Sequence, residues 1–87
     1  MKVKEGYVMR EVAGKTVVIA VGDASREFHG MIHLNSTGKC IWEGAAKGLE
    51  KEEIVKSLTE QYQVDAETAE RDVEKMLQKM AEAGVLE

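Results

Sequence analysis

The 87-residue sequence contains no proline, one cysteine and few aromatic residues, which make up 5% of the chain. A single cysteine, Cys40, excludes an internal disulfide, and without proline no predicted helix or strand contains a breaker. The first twelve residues carry charges where a signal peptide or a membrane span needs an unbroken apolar run. We therefore expect a cytoplasmic protein that does not associate with membranes.

The sequence also lacks the patterns that cofactor and metal chemistry need. No glycine-rich phosphate loop is present. His29 and His33 lie four positions apart in a predicted strand, and about 13 Å is too far for both to bind one zinc ion. Cys40 falls in the apolar stripe of a helix, where a small buried hydrophobe is expected. We predict that the protein is not an enzyme and binds no cofactor or metal.

The charge argues against nucleic acid as a partner. Twelve Lys and Arg residues stand against sixteen Asp and Glu residues, a net charge of -4 without any basic run. Proteins bind phosphate backbones mainly through clustered Lys and Arg. At this length we expect one compact domain over residues 1–87, with little spare stability for a deep catalytic cavity, which favours a binding module.

The first 34 residues have the pattern of short strands separated by glycine turns. Residues 7–12 and 15–21 are joined by Ala13-Gly14, a sequence typical of a tight hairpin. The second strand is apolar at every position from 17 to 21, as in a strand covered on both faces, so it should be central. Residues 28–34 alternate and form a predicted amphipathic edge strand.

From Asn35 onward the apolar period changes to that of helices. We predict helices from about residue 36 to 47, from about 50 to 62, and from 66 to 83, with Asn35 or Ser36 and then Asp65 as N-caps and Gly84 as the final C-cap. Val85 and Leu86 should pack back on the domain. The order predicts an α+β, winged-helix-like fold: a three-stranded antiparallel meander followed by three helices (βββααα).

The third strand should leave one edge of the sheet open. No proline and no lysine lies between Phe28 and Leu34 to block pairing. Such an edge accepts an extended peptide as an additional strand. The alternatives are an edge covered by a helix, or by a second copy in a dimer.

Residues 34–42, LNSTGKCIW, resemble the Leu-Asn-x-Thr-Gly-x-x-Ile-Trp pattern of the PqqD-like family, named for pyrroloquinoline quinone biosynthesis protein D. Similar short matches follow at residues 52–55, 62–65, 72–73 and 84–86. The resemblance implies a precursor-peptide recognition element, a chaperone-like domain that binds the leader of a ribosomally made peptide. It presents the attached core to a modifying enzyme, often a radical S-adenosylmethionine protein. The implied partners are that peptide and that enzyme, and the protein itself should be a monomer or a weak homodimer.

In this family the leader lies against the third strand, in a groove also lined by the third helix. Mapping that arrangement here gives the peptide-binding candidates Phe28, His29, Met31, Ile32, His33, Leu34, Asp72, Met76, Lys79 and Met80. We interpret the motif residues Asn35, Thr37, Gly38, Ile41 and Trp42 as helix cap, first turn and core anchors. Met76 stands where relatives often have a bulkier aromatic residue, which predicts a softer groove.

Two other functions fit the same architecture. One is a winged-helix DNA-binding protein, but the third helix carries three basic residues against five acidic ones, which disfavours phosphate binding. The other is an interaction subunit that dimerises through the open edge and has no peptide client.

Overall fold

The computed structural model describes residues 2–26 and 30–87. Its helices and strands follow one another as β1 (Tyr7–Val12), β2 (Lys15–Ala20), a 3-10 helix (Gly22–Arg26), β3 (Met31–Leu34), α1 (Ser36–Ala46), α2 (Lys51–Gln61) and α3 (Ala66–Glu82). The predicted α+β order βββααα is confirmed, with a short 3-10 helix added between β2 and β3.

The three strands form one antiparallel sheet in the order β1-β2-β3. At the hairpin, Ala13 and Gly14 have φ values of 52° and 78°, the left-handed pair that a type I′ two-residue turn requires. Val18 of β2 pairs with Met9 on one side and with Ile32 on the other. The central position predicted for the second strand is therefore confirmed.

Two strand boundaries differ from the prediction. β2 ends at Ala20, and the N–H of Val21 donates instead to the carbonyl of Gly6, at 2.7 Å. β3 begins at Met31, because the chain bends at Gly30. The predicted strand residues Phe28 and His29 lie outside the described residues.

At the start of each α-helix, a side-chain oxygen accepts a hydrogen bond from a main-chain N–H group. The carboxamide of Asn35 accepts from the N–H of Gly38, and the carboxylate of Asp65 accepts from the N–H of Thr68, both at 2.7 Å. At α2 the carboxylate of Glu53 reaches back to the N–H of Glu50, at 3.1 Å. These bonds satisfy first-turn donors that have no partner within the helix. The caps predicted at Asn35 and Asp65 are confirmed.

The core lies between one face of the sheet and the three helices. Its buried residues come from all three α-helices, from β2, from β3 and from the end of the chain: Val18, Leu34, Ile41, Trp42, Ala45, Ile54, Leu58, Ala69, Val73, Met80 and Val85. Gly44 allows α1 to approach α2, because a Cβ at that position would lie 2.9 Å from Cγ1 of Ile54.

The two ends of the described chain meet beside this core. The N–H of Lys4 donates to the carbonyl of Val85, and the N–H of Glu87 donates to the carbonyl of Lys2, both at 2.8 Å. Val85 is fully buried, so the prediction that the last residues pack back is confirmed. Within residues 2–26 and 30–87 no helix has the length and apolar character needed to cross a bilayer.

Candidate functional site

β3 forms one edge of the sheet. Among the described residues it pairs with β2, and no second strand lies along its other side. In an antiparallel ladder alternate residues direct both main-chain groups away from the partner, so four residues offer about four outward N–H and C=O groups. The structure thus presents the edge strand that the sequence predicted, although its described part is shorter.

The side chains of β3 divide between two faces of the sheet. Ile32 packs against the core, and Leu34 is buried within it. Met31, which is 52% exposed, and His33 project from the opposite face. The edge of β3 is therefore anchored by two apolar side chains and carries two accessible ones.

A groove of about 530 Å³ runs between the end of β3, the start of α1 and the side of α3. The residues that α3 contributes are Asp72, Lys75, Met76 and Lys79. The opposite wall and the floor consist of His33, Leu34, Asn35, Thr37, Gly38 and Ile41. The groove thus brings residues of the third strand and the third helix together.

Met80 requires a correction, because it was expected to line this groove. Its side chain is only 1% exposed and belongs to the core. Residues seven apart on a helix point in nearly the same direction, and Met80 follows the buried Val73 by seven. Met76 lies one turn earlier, about 40° away from Met80 around the helix axis, and that offset places it at the groove.

One residue that α3 contributes to the groove was not predicted from the sequence, and several motif residues that were interpreted as structural also line the groove. Lys75 was not among the candidates, although its spacing from Asp72 and Lys79 places it on their face. Ile41 and Trp42 are core anchors as interpreted, with exposures of 1% and 3%. The remaining motif residues, Asn35, Thr37 and Gly38, form the N-cap and first turn of α1 and also line the groove. They therefore stabilise the helix start and form part of the candidate site.

The charged residues of α3 separate into two sides. On the side away from the groove, Lys51 of α2 forms ion pairs with Glu70 and Glu74, and Arg71 pairs with Glu67 at 3.4 Å. The pKa of Lys51 is raised, chiefly by its hydrogen bond to Glu74. Most acidic residues of the helix are therefore paired outside the groove.

Cys40 has the character expected of a structural thiol. It is half-buried on α1 and packs against the core. Burial raises the pKa of its thiol, Glu43 adds to the increase, and Lys47 opposes it. The thiol is therefore protonated at neutral pH and a poor nucleophile. Within residues 2–26 and 30–87 no three potential metal ligands lie close enough together to hold an ion.

Comparison with known proteins identifies the family. The family model of Coenzyme PQQ synthesis protein D (PqqD) matches residues 6–86. The chain belongs to the PqqD family. No curated protein sequence matches this PqqD-family chain significantly.

Two solved structures have a similar fold. One is TbiB1 in complex with the TbiA(beta) leader peptide, which is 28% identical with a TM-score of 0.78, over 100% of this chain and 95% of that one. The other is lasso peptide synthetase B1 complexed with the leader peptide, 19% identical with a TM-score of 0.74, over 97% and 93% of the two chains. The second likeness concerns the fold alone.

Proposed function

We propose that this PqqD-family protein is a non-catalytic adaptor for a ribosomally synthesised precursor peptide. It binds the leader segment by strand addition at β3 and presents the rest of the precursor to a maturation enzyme, such as a radical S-adenosylmethionine protein. The observation that carries the proposal is the open edge of β3 beside the groove. Main-chain groups and side-chain recognition are thereby available at one place.

A leader segment at this edge would become the fourth strand of the sheet. Its main chain would pair with β3, and each hydrogen bond would contribute about 1 kcal/mol. Alternate side chains of the added strand would face the groove, where Leu34, Ile41 and Met76 supply apolar surface. Met76 is unbranched and flexible, which suits a pocket that accommodates several apolar side chains.

One comparison supports this function. The TbiB1 structure contains a leader peptide and resembles this chain over its whole length. The groove itself favours binding over catalysis. Its lining residues include His33 and Asp72, and no hydrogen bond or ion pair joins these two residues. Without an orienting partner, neither is held as a base or a nucleophile would be.

The experiment uses a candidate precursor peptide, chosen from the short open reading frames around the gene. Its leader is titrated into the labelled protein, together with two variants that carry proline or alanine at the middle of the bound segment. Proline removes a main-chain donor and fixes φ, so we expect the proline variant to lose binding and the alanine variant to keep it. Equal affinity of the two variants would contradict strand addition.

The adaptor role needs a second readout. Modification of the precursor by the candidate maturation enzyme is measured with and without the protein, and we expect the yield to fall when the protein is omitted. An unchanged yield would contradict the adaptor role, even if the leader binds.

The two alternatives predict different results. A DNA-binding protein would retard duplex DNA in a gel shift at low salt, whereas we expect no retardation because the protein carries a net charge of -4 and has no cluster of basic residues in its sequence. A dimer formed through Met31–Leu34 would elute at twice the monomer mass and dissociate when leader is added. A tight dimer that leader does not disturb would favour the interaction subunit.

A further inference from the structure

Two lysines in the groove have no charged partner among the residues that the structure describes. Lys75 and Lys79 line it from α3, and neither forms an ion pair with any residue that the structure describes. They are one helical turn apart, about 6 Å along the axis. Strand addition uses main-chain groups of β3 and therefore leaves both ammonium groups unused.

The positive charges of the two lysines are opposite in sign to the net charge of the protein. The chain carries a net charge of -4, yet Glu70 and Glu74 are paired with Lys51 on the other side of α3. Among the described residues that line the groove, Asp72 carries the one carboxylate, and Lys75 and Lys79 carry two ammonium groups. The groove is thus a locally basic strip on an acidic protein, next to the apolar surface of Met76.

We propose that Lys75 and Lys79 select leader segments in which an acidic residue lies two positions from the apolar residue that occupies the groove. The inference rests on the proposed function and specifies its substrate. Residues i and i+2 of an extended strand share one face and lie about 6.6 Å apart. Lys79 follows Met76 by three residues, about 4.5 Å along the axis of α3, so an apolar side chain over Met76 places its acidic neighbour within reach of the flexible Lys79 side chain.

The chemistry of the groove fits a single carboxylate better than a phosphate chain. Asp72 occupies the same wall as the lysines and would repel a polyanion. A peptide carboxylate needs one ammonium group, and the other lysine can offset Asp72. The occupant is therefore an acidic, apolar peptide segment, and nucleic acid is an outcome that the test must exclude.

The first experiment selects ligands from a display library of random peptides of about 12 residues. The targets are the wild-type protein, the double variant Lys75→Glu/Lys79→Glu, and the control Lys4→Glu/Lys56→Glu. The control residues are exposed and outside the groove, and both variants have the same net charge. We expect wild type and control to enrich Asp or Glu two positions from an apolar residue, and the groove variant to enrich Lys or Arg there.

The second experiment measures affinity with one enriched peptide and its Glu→Gln analogue. For an exposed ion pair we expect the analogue to bind wild type about threefold more weakly at about 50 mM NaCl, with the difference shrinking at about 500 mM. The Lys75→Gln/Lys79→Gln variant should bind both peptides equally. Because the lysine side chains are exposed, circular dichroism should show that this variant remains folded.

Several outcomes would overturn the inference. Enrichment of apolar alternating peptides without acidic residues would refute charge selection while leaving leader docking intact. Enrichment of no peptide at all would refute both. Acidic enrichment that persists in the groove variant would place recognition elsewhere. Lysine-dependent binding of an RNA or DNA oligonucleotide would show that the ligand of the groove is nucleic acid and not an acidic peptide.

Discussion

The hydroxyl of Tyr62 donates a hydrogen bond to the carbonyl oxygen of Ser36, at 3.0 Å. Tyr62 ends α2, and Ser36 is the first residue of α1. Thr37 and Gly38, which follow Ser36 directly, line the groove. The end of one helix therefore holds the wall of the candidate binding site in place.

Replacing Tyr62 by phenylalanine should remove this bond and keep the ring. We expect Tyr62→Phe to lower the free energy of unfolding by about 1 kcal/mol, measured by urea denaturation. Gln63→Ala, at the exposed neighbouring position, is the control and should change little. A Tyr62→Phe variant as stable as wild type would show that the bond does not support α1.

The cap at Asn35 predicts a second effect on the same wall. Its side-chain oxygen accepts from the N–H of Gly38 and also from the hydroxyl of Thr37, at 3.1 Å. Asn35→Ala should cost about 1 kcal/mol of stability, whereas Asn35→Asp should retain the cap. Thermal unfolding compares the three proteins, and equal loss in the alanine and aspartate variants would argue against capping as the cause.

The hairpin turn offers a stabilising change at residues that do not line the groove. Ala13 has a φ of 52°, in the left-handed region that disfavours a Cβ, and Gly14 follows with 78°. Asparagine tolerates this conformation and precedes glycine in the commonest hairpin turns. Ala13→Asn should therefore raise stability by about 0.5–1 kcal/mol, whereas Gly14→Ala should lower it. Urea denaturation measures both, and an unchanged or lower stability of Ala13→Asn would contradict the turn assignment.

The cap of α3 predicts a dependence on pH. The N–H of Thr68 donates to the carboxylate of Asp65, and this bond holds the pKa of Asp65 below its usual value of 3.8. A carboxyl group whose pKa is lowered in the folded state stabilises the fold above its unfolded pKa and loses that effect as pH falls through the folded value. Wild type should therefore melt at a higher temperature than Asp65→Ala at pH 7, and the gap should shrink below about pH 3.8. A gap independent of pH would contradict this explanation.

Local signals in the sequence were sufficient for most of the fold. Asn35 and Asp65 correctly predicted two helix starts, and Ala13-Gly14 predicted the hairpin. Caps and tight turns are predictable because they depend on residues close in sequence. Gly30 was predicted to be part of the third strand because the alternation continues through it, whereas the chain bends there.

The groove depends on contacts that no local signal encodes. Met76 and Met80 are both apolar residues on one helix, and only the packing of α3 decides that Met80 enters the core and Met76 faces the groove. Lys75 was overlooked because a single lysine on a helix usually belongs to the solvated surface. The family resemblance alone predicted that α3 approaches β3, because no local pattern in the sequence indicates this contact.

The most direct test of the account follows the amide groups of β3 by nuclear magnetic resonance. The nitrogen-15-labelled protein is titrated with the leader of the candidate precursor, and exchange of amide hydrogens with deuterium is measured before and after. The account predicts that the largest shifts fall on Met31–Leu34 and the groove side of α3, and that the outward amides of β3 become protected. Shifts confined to other surfaces, with β3 amides exchanging as fast in the complex as in the free protein, would contradict it.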